Sequence, residues 1–217
     1  VLVPIKNGLY LVSGHSETLD ETRRLRMVED AYWKIAKKLV SKNCGSEYVV
    51  AGLKSLEIRM RDFSIPDILI VYTKNYDATL LVTDANKIVF KTAKTGSKTG
   101  RANAFPIFAK FSETFVVENL QWKIASVEHA LLDSLTIHKG IPKIDEYAVV
   151  KFLSKYAKSI DREKLGKLVS CKYLTAVNRL REITRDKGIA PVYEKALDVV
   201  KREGGSCFVT GRGHSLP

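Results

Sequence analysis

The chain has 217 residues, 45% of them hydrophobic, which is enough for one large or two small domains with a real core, so small size gives no reason to expect staples. Its 36 Lys and Arg against 24 Asp and Glu give a net charge of +12, which points to an anionic partner, either nucleic acid or an acidic protein; the plain rival is solubility charge. Three widely spaced cysteines, without a CxxC or a Cys/His pair at metal spacing, argue against a disulfide framework or zinc site and fit a reducing, cytoplasmic home, while no apolar run reaches the roughly 18 residues of a membrane-spanning helix and no signal segment is visible.

Two short β-prone runs flank Lys6-Asn7-Gly8 within residues 1–13, and Asn-Gly is a strong hairpin signal because both residues tolerate positive φ. A β-hairpin with a basic tip is expected, of the kind that forms the wing of a winged-helix domain. Val1 stands where Met would begin a chain, so most of such a domain is expected to be missing upstream. A helix follows over residues 20–42, announced by the capping box of Thr18 and Glu21 and striped by Leu25, Val28, Tyr32, Ile35 and Leu39, with Trp33 beside the stripe. Asn43-Cys44-Gly45 ends it, and Ser46 opens a shorter helical stretch through Val49, Val50, Leu53, Leu56 and Met60.

From Pro66 to Trp122 the period changes. Runs of β-branched and aromatic residues at 67–73, 78–83, 87–91, 108–111 and 114–117 predict a sheet of four or five strands. Within it, residues 92–103 form a Gly- and Lys-rich loop, and residues 85–112 hold Lys87, Lys91, Lys94, Lys98, Arg101 and Lys110 without one acidic residue. At Ile124 the strands hand over to a helix: Ser126 offers an N-cap, Glu128 complements the dipole, and Val127, Ala130, Leu131 and Leu135 repeat on one face.

Four more helical patterns, at 145–158, 161–173, 175–187 and 191–203, are joined by short loops and predict a helical array, before a Gly-rich tail at 204–217. Residues 151–187 carry eleven Lys and Arg against four Asp and Glu, a second basic surface whose bland alternative is a solvated helix face. The fold class is α+β: a wing hairpin at 1–14, a mixed helix and sheet part at 15–123, a helical part at 124–203, and the tail.

Catalytic patterns fail on spacing. Gly45-Ser46 lacks the following Asp-x-Asp pair that a nucleotidyltransferase needs for two metal ions, since Asp161-Arg162-Glu163 opens a distant helix. A nuclease reading of Pro66-Asp67 fails because Asp84 and Lys87 are one residue too far apart to share a strand face. Gly96 and Gly100 do not have Walker spacing, and a strand is expected after them. His129 and Asp133 are four apart and are expected as a surface pair on the polar face of their helix. Tyr72, Tyr76, Phe90, Phe105, Phe108 and Phe111 interleave with the basic loop as a nucleic-acid surface could, or form core.

The order of parts carries a resemblance. Asn7-Gly8-Leu9-Tyr10-Leu11-Val12, the segment Ala51-Gly52-Leu53-Lys54-Ser55-Leu56-Glu57-Ile58, the pattern Ser126-Val127-Glu128-His129-Ala130-Leu131-Leu132-Asp133 and the helix Leu174-Thr175-Ala176-Val177-Asn178-Arg179-Leu180-Arg181 together resemble the AbiEi family of antitoxins and transcriptional regulators, from Leu9 to about Lys187. The resemblance implies a non-enzymatic antitoxin of a bacterial toxin–antitoxin system that counters a nucleotidyltransferase-like toxin and, with a complete winged helix, represses its own promoter. No cofactor is implied. The surfaces expected to meet toxin, DNA or RNA are Lys6 and Asn7 in the wing, Lys87, Lys91, Lys94, Lys98 and Arg101 around the loop, and Lys164, Lys167, Arg179, Arg181 and Arg185 in the array. The alternatives are a general nucleic-acid-binding regulator and a metal-dependent nuclease.

Overall fold

The strand-like runs of the sequence pair into a mixed sheet that separates two layers of helices in a computed structural model of the chain, which describes residues 2–4, 10–12, 20–94, 103–137 and 144–203. The N-terminal hairpin joins β1 (Leu2–Pro4) and β2 (Tyr10–Val12) antiparallel, as Asn7-Gly8 predicts. Lys6 and Asn7 of the expected wing lie outside the described residues, as do Thr18 of the expected capping box and the tail from Gly204.

Helix α1 (Glu21–Asp30) is capped by Asp20, whose carboxylate accepts from the Arg23 N–H at 2.7 Å. The single helix expected over 20–42 is interrupted at Ala31 (φ −98°, ψ 4°) and resumes as α2 (Tyr32–Cys44). The break re-aims the chain: α1 buries only Val28, whereas α2 buries Tyr32, Trp33, Ile35, Ala36, Leu39 and Val40.

Two elements differ in type from their expectation. Residues 48–51, expected to be helical, form β3 (Tyr48–Ala51), a central strand buried at all four positions; the helix α3 (Gly52–Arg59) begins only at Gly52, where the chain turns at φ +68°. A strand buried on both faces shows no alternation, so its period cannot be told from that of a buried helix. Conversely, residues 108–111 were expected as strand but belong mostly to α4 (Phe105–Lys110), started by Pro106 in the first turn and by the Asn103 side chain, which accepts from the Phe105 N–H at 2.8 Å.

The remaining strands are β4 (Ile68–Thr73), β5 (Ala78–Leu81), β6 (Lys87–Thr92), β7 (Glu113–Val117) and β8 (Leu120–Ile124). Six strands lie in the order β5-β6-β4-β3-β8-β7; β3 runs antiparallel to β4 and parallel to β8, and β4 is parallel to β6. Hairpins close both edges, and the two-residue turn between β7 and β8 places Glu118 and Asn119 at positive φ, the conformation that suits the twist of paired strands.

Alternation then sorts the core. Tyr48, Val50, Leu69, Val71, Ile88 and Phe90 face α2. Val49, Ala51, Ile70 and Tyr72 face α5 (Val127–Ser134), and behind α5 stand α6 (Glu146–Tyr156), α7 (Arg162–Leu168), α8 (Leu174–Asp186) and α9 (Ala190–Arg202). The helix expected over 161–173 stops at Leu168. A wide turn, Val169–Tyr173, follows with Lys172 at φ +72°, and it delivers Tyr173 into the core.

Candidate functional site

Helix α5 begins as its residues dictate, with the Ser126 hydroxyl accepting from the His129 N–H at 3.2 Å. What its sequence hides is how far it is enclosed. Glu128, His129 and Asp133 are exposed by only 1%, 0% and 1%, so the pair expected on a polar surface lies in the interior. The reason is position: α5 is wedged between the sheet and the array, and polar side chains survive there because other buried groups answer them.

The partners come from distant parts of the chain. Asp133 Oδ1 accepts from Tyr72 Oη of β4 at 2.6 Å and from Tyr173 Oη at 2.9 Å. With both phenol protons directed at Asp133, His129 Nε2, 3.1 Å from Tyr173 Oη, is assigned as the donor to that oxygen. The imidazole lies against Phe108 with ring centroids 4.0 Å apart. Burial pushes its pKa down to about 4, against the opposing pull of Asp133, so the ring is neutral at pH 7. Burial, reinforced by the Asp133 charge, holds both phenols well above their ordinary value. One α5 carboxylate reaches the array: Glu128 Oε1 accepts from the Asp161 N–H at 2.8 Å, beside the α7 N-terminus. Chemically the cluster is a clasp, since its phenol protons and imidazole N–H are held by neighbours inside the fold.

A pocket of about 310 Å³ opens beside the clasp, lined among others by Gly52, Lys54, Glu57, Asp67, Ile70 and Asp133. Gly52 is dictated twice, by its positive φ and by space: a Cβ there would stand 3.0 Å from Ile70 Cδ1 and 3.3 Å from Asp133 Oδ2. Lys54, only 3% exposed, directs its ammonium to Glu57 at 2.8 Å and Ser64 at 3.1 Å. Asp67 lies just before β4, as a turn residue should, and is exposed. Among the described residues no group of three or more His, Cys, Asp or Glu is placed to hold a metal ion.

The expected basic surfaces divide unevenly. Lys94 is exposed and its residue bridges to Asn103; Lys98 and Arg101 lie outside the described residues, and helix α4 rather than a strand follows the loop. Lys87 is half-buried. Lys91 pairs with Tyr72 in the sheet register and so shares the clasp face; burial lowers its pKa while Asp133 pulls the other way. In the array, Lys167 is exposed, Lys164 is half-buried, and Arg185 is exposed but 3.0 Å from Asp186. Arg181 is not a surface residue: it is 7% exposed and lies 3.6 Å from Glu182. Arg179 donates to the Leu135 carbonyl at 2.7 Å, at the C-terminal end of α5. Both are drawn inward because α8 packs against neighbours on several sides, which leaves it little solvent face.

A stronger row of cations stands on α2, on the side opposite its buried stripe. Lys34 and Lys38 are exposed, as are Ser41 and Lys42, and Lys37 is half-buried. The signal was available, since these positions are the polar complement of the apolar stripe that predicts the helix. Among the described residues no helix is long and apolar enough to cross a membrane. No protein-family model, curated protein or solved structure matches the chain.

Proposed function

We propose that this chain is the antitoxin of a toxin–antitoxin pair, resembling the AbiEi family, and that it acts as a binding protein rather than an enzyme on a nucleotidyltransferase-like toxin. The observation that carries the reading is the fate of the Ser126-to-Asp133 pattern on which the resemblance rests. Ser126 caps its helix, Glu128 holds the Asp161 N–H, and His129 and Asp133 close on Tyr72 and Tyr173. Ser126 is committed to its own helix, and Glu128, His129 and Asp133 to joining α5 with sheet and array, as befits a rigid scaffold whose outer surface does the work. Lys164 and Lys167 of α7, with Lys87 of β6 and Lys94 just after it, supply cations for an acidic toxin surface. Co-expression with the toxin encoded beside it should restore growth to toxin-expressing cells. Failure of rescue at matched protein levels overturns the reading.

The net charge of +12 favours a second reading, a nucleic-acid-binding regulator without antitoxin activity. It predicts retention of a promoter fragment that falls steeply with salt and no effect on toxin-dependent growth arrest.

A further inference from the structure

The exposed side of α2 carries only positive charge. The helix contains Lys34, Lys37, Lys38 and Lys42 and no Asp or Glu, and its buried residues all point the other way, into the sheet. At a rise of about 1.5 Å per residue, Lys34, Lys38 and Lys42 repeat roughly every 6 Å along one face. Lys37 leans over the edge of that face toward β8, donating to the Tyr48 hydroxyl and to the Gln121 carbonyl at 2.6 Å, with its ammonium 4.7 Å above the Tyr48 ring and 5.1 Å from that of Trp122. Lys123 of β8 stands alongside and donates to the Ser46 carbonyl at 2.8 Å. Between them lies an open groove of about 310 Å³ whose rim includes Ser41 and Ser46. Among the described residues, none of these five lysines is within 4.0 Å of a carboxylate oxygen. No described carboxylate neutralises them, and all but the half-buried Lys37 are exposed.

We propose that this face, the lysine row of α2 together with the Lys37 and Lys123 groove, docks the phosphodiester backbone of a nucleic acid. Charge complementarity admits any polyanion, and the absence of an exposed apolar centre selects nucleic acid over an acidic protein. Protein interfaces have an apolar centre and are depleted in lysine, and α2 exposes no large apolar side chain. Nucleic-acid interfaces are strongly positive and polar, with most contacts made to phosphate. The pre-positioned Lys37 and Lys123 and the hydroxyls near them suit a phosphate in the groove, with neighbouring phosphates on Lys34, Lys38 and Lys42. Contacts of this kind fix affinity and register without reading bases, so binding should be tolerant of sequence. The face lies across the sheet from the array surface assigned above to the toxin.

The test is fluorescence anisotropy of the full chain with a labelled duplex DNA of about 20 base pairs and, in parallel, a single-stranded RNA of matching length, over roughly 50 to 200 mM salt. The variant Lys34→Gln/Lys38→Gln/Lys42→Gln should make the slope of log affinity against log salt shallower by about 2 to 3, and weaken binding about tenfold or more at the low-salt end. Lys155→Gln/Lys158→Gln/Lys201→Gln, an equal charge change on exposed positions of the array side, should leave both unchanged. Comparing duplex with single strand identifies which backbone is preferred. The proposal is overturned if neither nucleic acid binds, if the array variant loses as much as the α2 variant, or if polyglutamate of equal charge competes as well as unlabelled nucleic acid. Toxin rescue by the α2 variant is expected to match wild type, so the two proposals fail separately.

Discussion

On the α2 side of the sheet, Tyr32, Trp33, Leu39 and Val40 meet Tyr48, Val71, Phe90 and Trp122, and the two tryptophans sit edge to face with centroids 5.4 Å apart. On the α5 side, a comparable apolar core surrounds a buried polar group: Tyr72, His129, Asp133 and Tyr173, with Glu128 holding the array at Asp161. The first layer is held by area and shape, forces that fall off gradually as a helix shifts. The second contains bonds that exist in only one arrangement of three segments, β4, α5 and the turn before α8, and a misplaced partner would leave a buried polar group unanswered. Burial drives both layers, while the clasp adds a preference for one relative placement of sheet and array. The outer surfaces differ too: beyond the apolar layer stands the α2 lysine row, whereas beyond the clasp several array cations are turned inward or paired with acids.

Substitutions on the two sides should separate these mechanisms. Trp122→Ala, at a site with 0% exposure, removes contacts with both Trp33 and Tyr48 and should cost about 3 to 5 kcal/mol in urea denaturation. If the cost is instead under about 1 kcal/mol, area is not what holds that layer. Asp133→Ala should cost about 3 kcal/mol, because it strands two buried phenol protons. Replacing both phenols with Phe in the same background should recover part of that loss. If it deepens the loss additively, the clasp is not a coupled unit.

The clasp also imposes a pH dependence in the acid range. Folded His129 remains neutral down to about pH 4, whereas an unfolded histidine takes up its proton near 6.5. Below 6.5 the unfolded state therefore binds more protons; the contribution is complete above 6.5 and is lost as the pH falls toward 4. His129→Gln should reduce the stability difference between pH 7 and pH 5 by about 2 kcal/mol, read from denaturation at the two pH values. An unchanged difference would mean that the imidazole does not stay neutral. The smallest effect belongs to Ser126→Ala, which removes the α5 cap and should cost about 1 kcal/mol while leaving the pH dependence intact.

Much of this architecture was legible in the chain. The capped start of α5, the β4 and β6 runs and three of the array helices follow from local signals that tertiary structure had no reason to override. Errors arose where burial erased the period. Tyr48-Val49-Val50-Ala51 is apolar on both faces of a central strand, and Phe105 to Lys110 holds strand-prone aromatics in one short helix begun by Asn103 and Pro106. The candidate surfaces were less legible than the fold. A lysine contributes to net charge wherever it sits, and only packing distinguishes Arg181, buried beside Glu182, from Lys38, which faces water.

By itself the sequence determined the mixed helix and strand content, the change of period at Ile124, the cap at Ser126 and the excess of positive charge, because each is a property of neighbours along the chain or of composition. Tertiary structure alone decided that His129 and Asp133 are interior, that Tyr72 and Tyr173 complete them from 57 and 44 residues away from His129, and that Arg181 is turned inward. The physical reason is that burial and partnership are relations between segments. Whether a polar side chain is a surface group or part of a clasp depends on what the fold brings to it.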